Sequence, residues 1–193
     1  MKTLQAVKVV VVAMMVAMMC VGCLSMLCGH KVATAPFDPT KFIGGGQWSY
    51  WKGPINGDGL SGEEERDKAS LALTGVNFAK TEFVTCLKTN EDHITGEEKL
   101  ARLKNSGHII YGATVFQGLW QDYQIRKGNS ALERLYKERE VTTIYFFGDV
   151  LRHPNGHRFV LCLSRSNDIW IWNYRWLNLD WAAKHPTVVS RRL

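Results

Sequence analysis

Two periodicities divide the chain. Alternation of period two, which in an extended strand sends successive side chains to opposite faces, runs through VNFAKTEFVTCLK from Val76, VTTIYFFGDVL from Val141, HRFVLCLS from His157 and IWIWNY from Ile169. Between them apolar residues recur at helical spacing: Leu100 and Leu103, then Val115, Leu119, Trp120 and Tyr123, then Leu132, Leu135 and Tyr136. Each helical stretch follows a capping box, a Ser or Thr with Glu or Gln three residues later: Thr95 with Glu98, Thr114 with Gln117, Ser130 with Glu133. A fourth box, Ser61 with Glu64, predicts a helix whose first turn holds Glu63, Glu64 and Glu65, and Gly107 stops the helix after Thr95. Asn155-Gly156 suits the positive φ angles of a tight hairpin, a second turn falls at Arg165 to Asp168, and HPTVVSRR supplies a short last strand. These signals predict an α+β fold, a mixed antiparallel sheet with two or three short helices.

The strand pattern near the carboxyl end carries the candidate chemistry. FVLCLSRSNDIWIWNYRWLNLDW gathers Trp170, Trp172, Tyr174, Trp176 and Trp181 among Asn, Asp and Arg side chains. Ile169 and Ile171 fall on one face of the strand, and Trp170, Trp172 and Tyr174 on the other. Stiff, half-polar aromatic rings lose little entropy on contact, so the aromatic face is expected to meet a partner. The alternative is a tryptophan-rich strand pair inside the core.

Residues 30–60 are rich in Gly and Pro, and Pro36, Pro39 and Pro54 forbid a long helix, so this stretch is expected to be a spacer that docks through Trp48, Tyr50 and Trp51. Gly44-Gly45-Gly46 lacks the Gly-Lys-Ser/Thr of a phosphate loop, which excludes that mode of nucleotide binding. Asn56, Asp58, Gly59 and Glu65 match calcium-loop positions, but Pro54 occupies the place of the first ligand, so a turn is expected instead. His153 and His157 flank the hairpin turn as exposed residues, too few for a metal site. No metal or other cofactor is expected.

Composition adds a compartment. Lys2 and Lys8 precede an apolar run from Val9 to Gly29, interrupted only by Ser25. Either Cys23, preceded by Val21 and Gly22, is the lipidated cysteine of an envelope lipoprotein, or the run spans a bilayer of about 30 Å as an uncleaved helix. Residues 1–29 are thus a signal peptide or membrane anchor, 30–60 the spacer and 61–193 the globular domain. The net charge of +6 falls to +4 without Lys2 and Lys8, too small and scattered for nucleic acid. Cys86 and Cys162 lie in alternating segments; they either form a disulfide in an exported protein or are two small buried hydrophobes that never meet.

The stretch Gly148 to Arg158, Gly-x-x-x-Arg-x-Pro-Asn-Gly-x-Arg, followed by a hydrophobic strand, the Trp/Asn/Asp/Tyr segment, Asp180-Trp181 and a Val-rich basic tail, resembles the variable proteins of diversity-generating retroelements. The likeness covers roughly Val76 to Arg192, with Leu161-Cys162 standing where Pro-Tyr is more frequent. The resemblance implies a C-type-lectin-like fold, with Gly156, Arg158 and Val160 as scaffold. Its ligand-contacting surface would be Asn167, Asp168, Trp170, Trp172, Asn173, Tyr174, Arg175, Asn178 and Asp180. Formylglycine-generating enzymes share that architecture but need paired cysteines near the site, where only Cys162 is close in sequence; no other catalytic constellation is present. The expectation is a non-catalytic, membrane-tethered protein of the cell envelope that faces outside the cytoplasm and binds a protein or glycan. The competing expectation is a structural envelope lipoprotein or assembly factor with no specific ligand.

Overall fold

A computed structural model describes residues 31–190. The apolar run 9–29 and Cys23 lie outside the described residues. Among the described residues no helix is long and apolar enough to cross a membrane. In chain order the main elements are β1 (Lys31–Ala33), α1 (Pro39–Ile43), β2 (Ser49–Tyr50), α2 (Lys68–Leu71), β3 (Gly75–Asn77), β4 (Thr81–Val84), β5 (His93–Thr95), α3 (Gly96–Lys104), α4 (Ala113–Arg126), α5 (Ala131–Arg139), β6 (Thr143–Arg152), β7 (Arg158–Ser166), β8 (Ile169–Trp176), β9 (Asp180–Ala182) and β10 (Thr187–Ser190).

The fold is α+β around one six-stranded mixed sheet. β6, β7 and β8 form an antiparallel meander, β10 lies parallel to β6 on its other side, and β4 continues antiparallel to β10. β2 pairs with the far end of β6, beyond an irregularity between Phe146 and Leu151. Two small ladders, β1 with β3 and β5 with β9, stand apart.

The helix starts show which local signals decided. Thr95 and Ser130 cap α3 and α5 by accepting from the Glu98 and Glu133 amides. The box at Thr114 is not used. Asp149, from β6, accepts the Ala113 amide and so caps α4 from outside, which puts Thr114 inside the helix with its hydroxyl buried and unpaired. At Ser61 no helix forms. There the Gly53 amide donates to the Glu63 carbonyl, the Glu65 amide donates to the Trp51 carbonyl, and Gly62 holds φ at 108°, so the acidic run pairs as extended chain. α2 begins later, capped by Asp67. Residues 37–51 are more ordered than a spacer. Asp38 accepts the Thr40 and Lys41 amides, Pro39 opens α1, and Trp48, Tyr50 and Trp51 are buried.

Two cores occupy the two faces of the sheet. On one face Val115, Phe116, Leu119 and Tyr123 of α4 and Leu132 and Leu135 of α5 pack on Ile144, Phe146, Leu161, Leu163 and Trp170. Gly118 admits the β1 backbone to α4, because a Cβ there would meet the Ala33 carbonyl. The opposite core joins Tyr145, Phe147, Val160, Cys162 and Val189 to Leu100 and Leu103 of α3 and to Trp181. It covers only part of that face. Beyond Cys162, the side chains of Ser164, Ser166, Ile171 and Ile169 are at least partly exposed.

Candidate functional site

β8 alternates as its sequence predicts, but the faces are exchanged. Trp170 is 2% exposed inside the first core, whereas Ile169 and Ile171 are 54% and 39% exposed. The reason lies in what covers the strand. Phe42 of α1 packs edge-on to Trp172 with ring centroids 5.0 Å apart, and Trp48 sits 4.7 Å from Tyr174, which also meets Phe159 at 5.4 Å. The stretch expected to be a spacer that docks through Trp48, Tyr50 and Trp51 therefore claims the aromatic face, with Phe42 joining Trp48 on it. Trp172 and Tyr174 stay half-buried, and Trp176 lies against His157 at 4.6 Å.

Asn167 and Asp168 form the hairpin turn, with φ of 48° and 63°. Positive φ at both central residues is the tight two-residue hairpin that Asn and Asp tolerate better than other side chains, so backbone geometry accounts for both residues. At Asn155-Gly156, by contrast, only Gly156 has positive φ, and the loop closes through the His153 amide to the His157 carbonyl. Asp168 pairs with Arg165 at 2.8 Å on the surface. Asn178 and Asp180 are exposed in the segment after β8, and the Asp180 carboxylate faces His93 at 3.9 Å.

What remains outward is a row along β8 of Ile169, Ile171, Asn173 and Arg175, facing Ser166, Ser164, Cys162 and Val160 of β7. Of the nine residues expected to touch ligand, Asn173 and Arg175 share this face, Asn167 and Asp168 lie at one end, and Asn178 and Asp180 lie at the other. Trp170, Trp172 and Tyr174 belong to the opposite face. The row was hidden in the sequence because isoleucine in a strand signals burial. At its carboxyl end a groove of about 410 Å³ is lined by Tyr145, Cys162, Ser164, Asn173, Arg175 and Leu179. Burial pushes the Tyr145 hydroxyl and the Cys162 thiol up to about 12, so both stay protonated at neutral pH.

A larger cavity of about 730 Å³ opens between the 53–68 segment and α3. Its charged groups already satisfy one another: Arg158 grips Glu97 and Glu65, Lys104 reaches Glu65, and Lys68 reaches Glu63. Asp58 and Glu65, two of the calcium-loop matches, are engaged as well, Asp58 by the Leu60 amide and Glu65 by Arg158 and Lys104.

Cys86 and Cys162 are free thiols. The register Val84 to Thr187 to Tyr145 to Cys162 places β10 and β6 between β4 and β7. Cys162 sits within the second core and Cys86, past the end of β4, packs against it as a separate thiol.

Lys99 is the other unusual group. It is fully buried, donates to the His185 carbonyl and lies 5.1 and 5.3 Å from the Phe147 and Trp181 rings, with no carboxylate partner among the described residues. Burial pushes the ammonium down from 10.5 to about 8, with Cys86 acting in the opposite direction. Between those two values the unfolded chain binds more protons, so this residue makes stability rise with pH, and its penalty is complete below about 8. Lys99→Met is expected to stabilise the protein at pH 7 by about 1–2 kcal/mol, once the lost hydrogen bond is set against the removed desolvation cost. Thermal melts of both proteins from pH 7 to 10.5 should converge as the lysine becomes neutral in both states.

No protein-family model, curated protein or solved structure matches this chain.

Proposed function

We propose that this chain is a membrane-tethered, extracytoplasmic binding protein that holds a protein or glycan ligand on the outward face of the β7–β8 hairpin. It acts without catalysis and without a cofactor. The observation that carries the reading is the exposure of Ile169 and Ile171, side by side with Asn173 and Arg175, on a hairpin whose reverse face is pinned by Trp170. Adjacent exposed branched apolar side chains flanked by carboxamides, hydroxyls and a guanidinium combine apolar contact with orienting hydrogen bonds. Leu179, 41% exposed, adds an apolar side chain beside Asn173 and Arg175. The tether is the apolar run 9–29, through Cys23 or as a spanning helix. A C-type-lectin-like arrangement is part of the proposal, supported by the β6–β7–β8 meander, the terminal strand beside β6 and two helices on one face.

A structural envelope lipoprotein is the second reading, favoured by the burial of Trp170 and by the cover of Phe42 and Trp48 over its neighbours. The double variant Ile169→Ser, Ile171→Ser separates the two. Ligands are first captured with the full chain on glycan and protein arrays. The variant is then expected to bind at least tenfold more weakly while its stability stays within about 1 kcal/mol. Unchanged binding by the variant, or capture of no ligand from either array, favours the structural reading.

A further inference from the structure

Resting on that recognition surface, we propose that the groove at the carboxyl end of β8 takes the anionic group of the ligand, an oxyanion with two acceptor oxygens such as a carboxylate or phosphate, anchored by Arg175. Donors line the groove and carboxylates do not. Among the described residues Arg175 makes no ion pair with a carboxylate: Nη2 donates to the backbone carbonyl of Asp180, and the buried Nε–H has no acceptor. The Asp180 carboxylate is turned toward His93. Asn173 already accepts the Tyr174 amide through its oxygen, which leaves its NH2 as a donor. Ser164 and the neutral Tyr145 hydroxyl stand opposite.

The local field has the same sign. Arg175 lies over the Trp181 ring at 5.2 Å, with Lys99 over that ring at 5.3 Å. Burial, with Arg175, Lys184 and Lys99 adding to it, pushes His185 down to about 4. A guanidinium with no carboxylate partner in a half-enclosed groove, ringed by neutral donors, is complementary to an oxyanion, whose two oxygens would be shared between the Arg175 Nη groups and the Asn173 NH2.

The test uses the full-length chain in nonionic detergent at pH 7, titrated with inorganic phosphate in one arm and acetate in the other at constant ionic strength set by chloride. Arginine Nε–H resonances and tryptophan emission report the groove, since Trp181 touches Arg175. At least one anion is expected to give a saturable shift of one Nε–H, and the arm that saturates at lower concentration identifies the preferred group. Arg175→Gln should weaken that binding about tenfold or more, Arg175→Lys should weaken it less, and Lys137→Gln, on α5, should leave it unchanged. Melting curves verify that each variant is folded; should Arg175→Gln fail to fold, Arg175→Lys carries the comparison. A linear response to both anions, or equal loss in Lys137→Gln, overturns the anion site. The Ile169→Ser, Ile171→Ser variant must keep the phosphate or acetate response, so failure of the anion site and failure of the larger recognition surface register separately.

Discussion

Trp170→Ala is expected to lower the free energy of unfolding by about 3–5 kcal/mol, measured as a fall in denaturant midpoint at constant slope. The indole is 2% exposed in the core that α4 and α5 lay on the sheet, so truncation opens a cavity in that core that the packed elements close only in part. The Trp170 amide donates to the Tyr123 hydroxyl across the strand edge, which ties strand position to α4. The indole N–H has no partner among the described residues, so Trp170→Phe keeps most of the packing, removes an unsatisfied donor and is expected to cost about 1–2 kcal/mol. A near-zero effect of the alanine variant would place the aromatic face back at the surface. Ile171→Ser on the opposite face is expected to shift stability by about 0.5 kcal/mol or less.

This contrast shows where sequence reasoning stopped. The period-two alternation of β8 was legible, as were the α+β class, the caps at Thr95 and Ser130 and the strands from Thr143 and Arg158. Which face turned inward was not, because a strand with isoleucine on one side and tryptophan on the other is apolar on both. The deciding contacts come from Phe42 and Trp48, more than 120 residues earlier in the chain, in a stretch whose prolines and glycines imitate a linker. Local rules failed for the same reason at Thr114 and Ser61. A capping box competes with whatever tertiary partner reaches the amides first, and Asp149 and the strand-like pairing of residues 63–65 arrived from distant sequence. The tight hairpin went to Asn167-Asp168 instead of Asn155-Gly156. Both dipeptides tolerate left-handed backbone, and neither one announces which loop will be two residues long. For the candidate site, the structure reverses the expected faces of β8, with Trp170 in the core and Ile169 and Ile171 outward.

The buried charges make a second strong expectation. Arg158 is held on every side: its side chain is 7% exposed, Nε and Nη2 hold both oxygens of Glu97, Nη1 contacts Glu65 at 2.6 Å, and the guanidinium lies 4.7 Å from the centre of the Trp51 ring. Arg158→Ala would strand two carboxylates against the second core. Desolvation pushes the Glu65 carboxyl up, but the hydrogen bonds and charges of Arg158 and Lys104 outweigh it and hold the group below its ordinary value. With a lowered folded pKa, that carboxylate stabilises the protein above about 4.5 and loses the contribution as pH falls through the folded value. Removing Arg158 leaves desolvation with less to oppose it, so the same group turns from stabilising toward destabilising at neutral pH. The expected loss at pH 7 is about 2–4 kcal/mol, on the low side for a broken buried pair because Glu65 and Glu97 remain 18% and 23% exposed beside the cavity. As pH falls through the lowered folded value of the Glu65 carboxyl, that charge is lost in both proteins, and the gap between Arg158→Ala and the parent should narrow by half or more in urea melts. Arg158→Met with Glu97→Gln is expected to recover part of the loss at pH 7, since it removes one stranded charge while Lys104 still serves Glu65. A pH-independent gap, unaffected by Glu97→Gln, would assign the whole effect to lost packing on Trp51 and none to the ion pairs.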